Sequence, residues 1–221
     1  VYKKLYNINA IVLPHTINNI DKIKVKKNQK IDNEFIIGYV GTIVPDRIEL
    51  LKSLSQIVDE ETKLKLRLFC PHDLEFLKQN NLYNESVFST FIKDSEKLIN
   101  ELYNCDLLYL PLSFEKNSSN EFDLQLLTCL GTKSFDYMQS GSEILIHSPS
   151  NYYTSTFFKK NNIGFTLNSS KKEDLLSTIF FIYDEMKKKS FVSSNYKDVL
   201  KNHYSKNIFD KMTKTIFNEK K

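Results

Sequence analysis

Two short stretches of this chain combine residue types suited to holding an anion. The first is Gly38-Tyr39-Val40-Gly41-Thr42, with Arg47 shortly after it. Two glycines three residues apart at the end of an apolar run leave room for a ligand near the backbone, or for tight packing of strand on helix. Arg47 is one of only two arginines in the chain. A guanidinium at that place can clamp a phosphate, or pair on the surface with Asp46 or Glu49. The second stretch is Gly131-Thr132-Lys133-Ser134-Phe135-Asp136. If Gly131 and Thr132 open a helix, their N–H groups lie at its positive end, where anions bind. Lys133 adds a full charge, and Asp136 follows about one turn later on the same face. Such a pair suits a nucleoside diphosphate with ribose hydroxyls on the carboxylate, or it is an ordinary intrahelical ion pair.

Other chemistries have weaker footing. The chain has neither the G-x-G-x-x-G dinucleotide fingerprint nor a Walker-type phosphate loop. His15, His72, His147 and His203 never fall at metal-ligand spacing, and they read as structural or surface residues, with His72 and His147 on the ligand side of the fold. Cys70, Cys105 and Cys129 are odd in number and form no C-x-x-C, so they read as reduced thiols of a cytoplasmic protein. The net charge is only +4, and 29 of the 31 basic residues are lysine rather than the bidentate arginine that reads bases, which argues against a nucleic-acid partner. The five lysines from Lys22 to Lys30 read as a solvated linker.

The elements that must position these residues follow from periodicity. At 41% apolar and 13% aromatic, the 221 residues can build a core, and with 5 Gly, 5 Pro and 3 Cys they match no collagenous or disulfide-framework class. No apolar run approaches the roughly 18–20 residues of a membrane helix. A continuous apolar run at 35–41 and shorter strand-like segments at 64–69, 86–90, 106–110, 144–147 and 164–167 predict six strands. Helical spacing between them predicts helices near 46–59, 73–79, 95–103, 131–139 and 152–160, then a helical tail from 171. Strands alternating with helices predict an α/β, Rossmann-like parallel sheet covered on both faces. Ligands of such sheets bind beyond the carboxyl ends of the strands, at the switch point. The expected division is 1–34 as a linker or end of a preceding domain, 35–170 as the nucleotide-binding domain, and 171–221 as closing helices. The chain starts on Val1 rather than Met, so it reads as part of a longer protein.

With the elements in order, the stretch from Gly131 to Ile144 resembles the donor-site segment of GT-B glycosyltransferases of the group 1 type, where Ser/Thr-Lys is followed by an acid-Tyr pair and a helix-ending Gly. Ile37 to Ile43 resembles the first strand of that family's C-terminal domain, and Asn104 to Pro111 its fourth. Val12-Leu13-Pro14-His15 resembles the strand before the interdomain linker. The resemblance runs from about residue 10 to 217. It implies the donor-binding half of an enzyme that moves a sugar from a nucleotide sugar to a glycan or lipid-linked acceptor. That activity belongs to polysaccharide biosynthesis in the cytoplasm, with possible peripheral membrane association. It implies that Arg47 and Lys133 are the catalytic cations. It further implies that Gly41, Thr42, Gly131 and Thr132 border the diphosphate, Asp136 takes the ribose, and Phe91 and Ile92 lie near the base. No D-x-D is present, so no metal and no cofactor are expected. The sequence departs from the family's E-x7-E pair, with Thr128 at the first place and Asp136 at the second, and from its first-loop lysine. A non-catalytic binding domain, an epimerase of the same architecture and an unrelated flavodoxin-like domain are the other readings.

Overall fold

The computed structural model of the chain describes residues 15–17, 23, 34–114, 126–188 and 194–218, the last four by backbone alone. Val12, Leu13 and Pro14 of the stretch that resembles the strand before the linker, and the five lysines of the linker itself, lie outside the described residues. Among the described residues six strands are present: β1 Phe35–Val40, β2 Leu64–Phe69, β3 Val87–Thr90, β4 Leu107–Pro111, β5 Glu143–His147 and β6 Phe165–Leu167. The helices are α1 Pro45–Glu60, α2 Leu74–Gln79, α3 Ser95–Tyr103, α4 Lys133–Ser140, α5 Tyr153–Asn161, α6 Lys172–Lys187, α7 Tyr196–Lys201 and α8 Ser205–Asn218. All strand pairs are parallel, in the order β3-β2-β1-β4-β5-β6. The expected α/β Rossmann-like sheet and the helical C-terminal end are thus both observed.

Local chemistry explains the boundaries. Asp73 and Asp94 cap α2 and α3, accepting the N–H groups of Phe76 at 2.8 Å and Lys97 at 2.7 Å. Pro45 begins α1, where its missing N–H costs nothing. Gly141 ends α4 with φ +77°. The α4 helix begins at Lys133, two residues after the expected start, because the turn ahead of it is tight. Ser134 and Phe135 donate to the carbonyls three residues back, Gly131 and Thr132, at 3.0 Å each.

The sheet separates two apolar layers. One gathers Phe35, Ile37, Tyr39, Leu66 and Leu68 with Leu51, Leu54 and Ile57 of α1 and Leu175, Ile179 and Ile182 of α6. The other gathers Val40, Leu108, Leu110, Ile144 and Ile146 with Phe135 and Met138 of α4 and Phe158 of α5. Central strands buried on both faces are the reason their sequences are continuous apolar runs. The α8 helix differs from α6, since none of residues 205–214 is buried.

The strand order reverses direction between β1 and β4. These two strands pair through Ile37 with Leu107 and Gly38 with Leu108, and no further toward their carboxyl ends. There the Tyr137 hydroxyl of α4 takes the place of a ladder bond. It accepts the Val40 N–H at 2.9 Å and donates to the Tyr109 carbonyl at 3.2 Å.

Candidate functional site

A cavity of about 100 Å³ opens at this parting of the strands. It is lined by Tyr39 of β1, Arg47 of α1, Tyr109 and the end of β4, Gly131 and Thr132 of the loop, and Lys133 and Tyr137 of α4. Two residues from the first stretch and three from the second therefore converge, although they lie far apart in sequence. This is the place where doubly wound sheets take ligands.

The two glycines of the first stretch have different jobs. A Cβ on Gly38 would come within 2.8 Å of the Cys105 Sγ and 2.9 Å of Leu108 Cδ2, so this glycine serves packing. Gly41 has φ +108°, and a Cβ there would lie 2.4 Å from Lys133 Cε and 2.5 Å from its Nζ. The space that Gly41 leaves open is filled by the Lys133 side chain. Its ammonium lies 4.9 Å from the centre of the Tyr39 ring and 3.4 Å from the Tyr39 hydroxyl. The Tyr39 hydroxyl in turn donates to the Thr42 carbonyl at 3.1 Å, while the Thr42 side chain is exposed.

Neither cation is held in an ion pair among the described residues. Burial lowers the pKa of Lys133 from 10.5 to about 8, and the charge of Arg47 adds to that. Among the described residues neither Arg47 nor Lys133 forms a salt bridge, and the Arg47 Nε is buried with no hydrogen-bond partner. Glu49, one candidate partner for Arg47, pairs with Lys52 at 2.7 Å. A buried donor of this kind is costly unless something accepts from it.

Asp136 does not line the cavity. It lies half-buried one turn along α4, where desolvation raises its pKa against the opposing charges of His15 and Lys133. His15 and His203 pack on Phe135 beside it, with ring centres at 4.6 Å and 4.9 Å. Phe91 is 63% exposed and borders a second, wider cleft of about 550 Å³, at the outer edge of the sheet, with His72, Tyr83 and Phe88. Ile92 is half-buried against the second apolar layer. Gly131 and Thr132 are exposed at the cavity mouth, and a Cβ on Gly131 would meet nothing within 4 Å.

Three residues of the site were not singled out from the sequence: Tyr39, Tyr109 and Tyr137. Tyr109 is fully buried, and its hydroxyl lies 2.6 Å from His147 Nδ1, while His147 Nε2 lies 2.5 Å from the Ser169 carbonyl. A carbonyl can only accept, so the Nε2 carries the proton and the Nδ1 accepts from Tyr109. Burial lowers the His147 pKa, in keeping with this neutral ring. His72 is structural: its Nε2 accepts the Ile43 N–H at 3.0 Å and its ring stacks on Phe76 at 4.0 Å. Among the described residues no group of three or more His, Cys, Asp or Glu could hold a metal ion, and no helix is long and apolar enough to cross a membrane.

No protein-family model matches the sequence, and no curated protein does. Solved structures do match the fold. The C-terminal domain of LpcC, a group 1 family glycosyl transferase of Francisella tularensis, is 14% identical, with a TM-score of 0.51 over 86% of this chain and 95% of that one. Anabaena HepE, solved with UDP and glucose, is 14% identical, with a TM-score of 0.61 over 91% of this chain and 55% of its own. The GtfA/B complex gives 12% and 0.61 over 91% of this chain and 39% of that one. The chain thus spans about half the length of the last two or less. It has the fold of a GT-B C-terminal domain.

Proposed function

We propose that this chain is the nucleotide-sugar-binding half of a glycosyltransferase, and that Arg47 and Lys133 hold the donor's diphosphate. The observation that carries this reading is the pair of cations at the switch point that form no salt bridge among the described residues, the Arg47 Nε being buried without a hydrogen-bond partner, in a fold whose relatives include one solved with UDP and glucose. Breaking the glycosidic bond leaves negative charge on the departing diphosphate. Fixed cations aimed at that charge lower the barrier, and they act more strongly in a half-buried cavity than in water. Gly131 and Thr132 would border the same charge, together with Gly41 and Thr42. Asp136 would accept ribose hydroxyls, and the cleft that Phe91 borders, with Ile92 next in the chain, would take the base. The acceptor, a glycan or a lipid-linked sugar at a membrane surface, would be held by a further domain, so this chain alone would bind the donor without transferring it.

Thermal-shift titration with UDP-, GDP- and ADP-sugars tests the reading. Stabilisation by one of them is expected, and no stabilisation by any would overturn it. One feature favours a second reading, in which the domain binds donor without turnover: Thr128 stands where retaining relatives carry a carboxylate. Donor binding without transfer by the full-length protein would select it.

A further inference from the structure

We infer that Tyr39 and Gly41 form a seat that positions the Lys133 ammonium at the cavity, making both of them positioning residues for whatever anion the cavity takes. The conformation of Gly41 is one that side-chain-bearing residues rarely adopt, and its missing Cβ is replaced by the last carbon and the nitrogen of Lys133. The Tyr39 ring, 1% exposed, lies on the other side of the ammonium with its hydroxyl in reach. That hydroxyl is itself fixed by the Thr42 carbonyl, so the acceptor offered to Lys133 does not rotate freely. A flexible lysine is thereby held to one place without a carboxylate that would neutralise it. Holding the charge in advance spares the ligand the cost of ordering it. The charged and titratable groups around the ammonium are Tyr39 of β1, Asp46 and Arg47 of α1, Tyr109 of β4, and Asp136 and Tyr137 of α4. That the held ammonium serves a diphosphate rests on the donor-site reading; the seat itself does not.

Two variants pull the seat apart in opposite directions. Tyr39→Phe keeps the ring and removes the acceptor, so the ammonium should lose its proton at lower pH than in the wild type. Gly41→Ala places a methyl where Lys133 lies, which should drive the ammonium into water and move its titration up toward 10.5. NMR titration of labelled lysine in the ligand-free protein reads both shifts directly. Calorimetry with UDP and with inorganic pyrophosphate at pH 8 should show about three- to tenfold weaker binding for Tyr39→Phe. Shifts of opposite sign support the seat. Unchanged Lys133 titration in a folded Tyr39→Phe protein would overturn it, even if Gly41→Ala fails to fold. Should the wild type bind neither probe while the shifts appear, the donor-site reading falls and the seat stands. Should UDP bind with equal affinity to wild type and Tyr39→Phe and the titrations coincide, the reverse holds.

Discussion

The two ends of the sheet treat buried charge in opposite ways. At the amino end of β5, Glu143 is 1% exposed. It accepts the Ser194 N–H and hydroxyl at 2.8 Å each, and the Tyr196 hydroxyl at 3.3 Å. The Ser194 hydroxyl also accepts the Gly164 N–H at 2.8 Å, so one carboxylate ties β5, the start of β6 and the entry to α7 together. At the carboxyl end of the same sheet, Arg47 and Lys133 share a cavity and form no salt bridge among the described residues. A buried charge with its hydrogen bonds met belongs to the scaffold. One without them costs folding energy and marks a place kept for something else.

Exchanging the two ends is the strongest way to break this contrast. Glu143→Ala leaves Ser194 and Tyr196 without their acceptor, and should lower unfolding free energy by about 3 kcal/mol in urea denaturation, with UDP affinity unchanged. Lys133→Ala should do the reverse, weakening UDP binding about 10- to 100-fold by calorimetry with no loss of stability at pH 7. The pH dependence gives the sign. Lys133 titrates near 8 when folded and near 10.5 when unfolded. Between those values the unfolded chain holds the extra proton, so this group's contribution to stability rises with pH, and its full cost is present below about 8. Lys133→Ala should therefore be at least as stable as wild type at pH 7, with its advantage gone by about pH 10.5. Wild-type affinity for UDP should fall as pH climbs through 8.

The glycines repeat the contrast on a smaller scale. Gly38→Ala forces a methyl against Cys105 and Leu108, and should cost about 1–3 kcal/mol of stability while leaving the Lys133 titration unmoved. If it shifted that titration instead, the division between a packing glycine and a site glycine would fail.

The fold was open to sequence reading because β1 and β4 are unbroken apolar runs closed by Gly or Pro, because β2 alternates leucine with Lys65 and Arg67 before Pro71 stops it, and because Asp73 and Asp94 announce their helices. Arg47 and Lys133 were legible for another reason: an arginine is rare in this chain, and a lysine beside Gly-Thr at a helix start is chemically conspicuous. The three tyrosines were not. Tyr39 and Tyr109 lie within apolar runs and Tyr137 on the buried face of α4, places where a tyrosine reads as core, and each is indeed buried. Only the separation of β1 from β4 beyond Gly38 and Leu108 puts Tyr39, Tyr109 and Tyr137 on one cavity, and no local pattern encodes that parting. Helical spacing placed Asp136 near Lys133 correctly. It could not show that the two form no salt bridge, or that Asp136 lies outside the cavity lining.

Asp136 therefore yields the smallest and most discriminating expectation. Burial raises its pKa above 3.8, so the folded state holds the proton more tightly than the unfolded one. From pH 3.8 up to its folded value the group's contribution to stability falls, and above that window the cost of the buried charge is fully present. Asp136→Asn should thus fold at least as well as wild type at pH 7. If the carboxylate accepts ribose hydroxyls, the variant should bind UDP about three- to tenfold more weakly and bind inorganic pyrophosphate, which has no ribose, as wild type does. Equal loss for both probes would make Asp136 part of the cation site's electrostatics instead. No loss for either would leave Asp136 outside ligand binding, and would confine the donor site to the groups that converge where β1 and β4 separate.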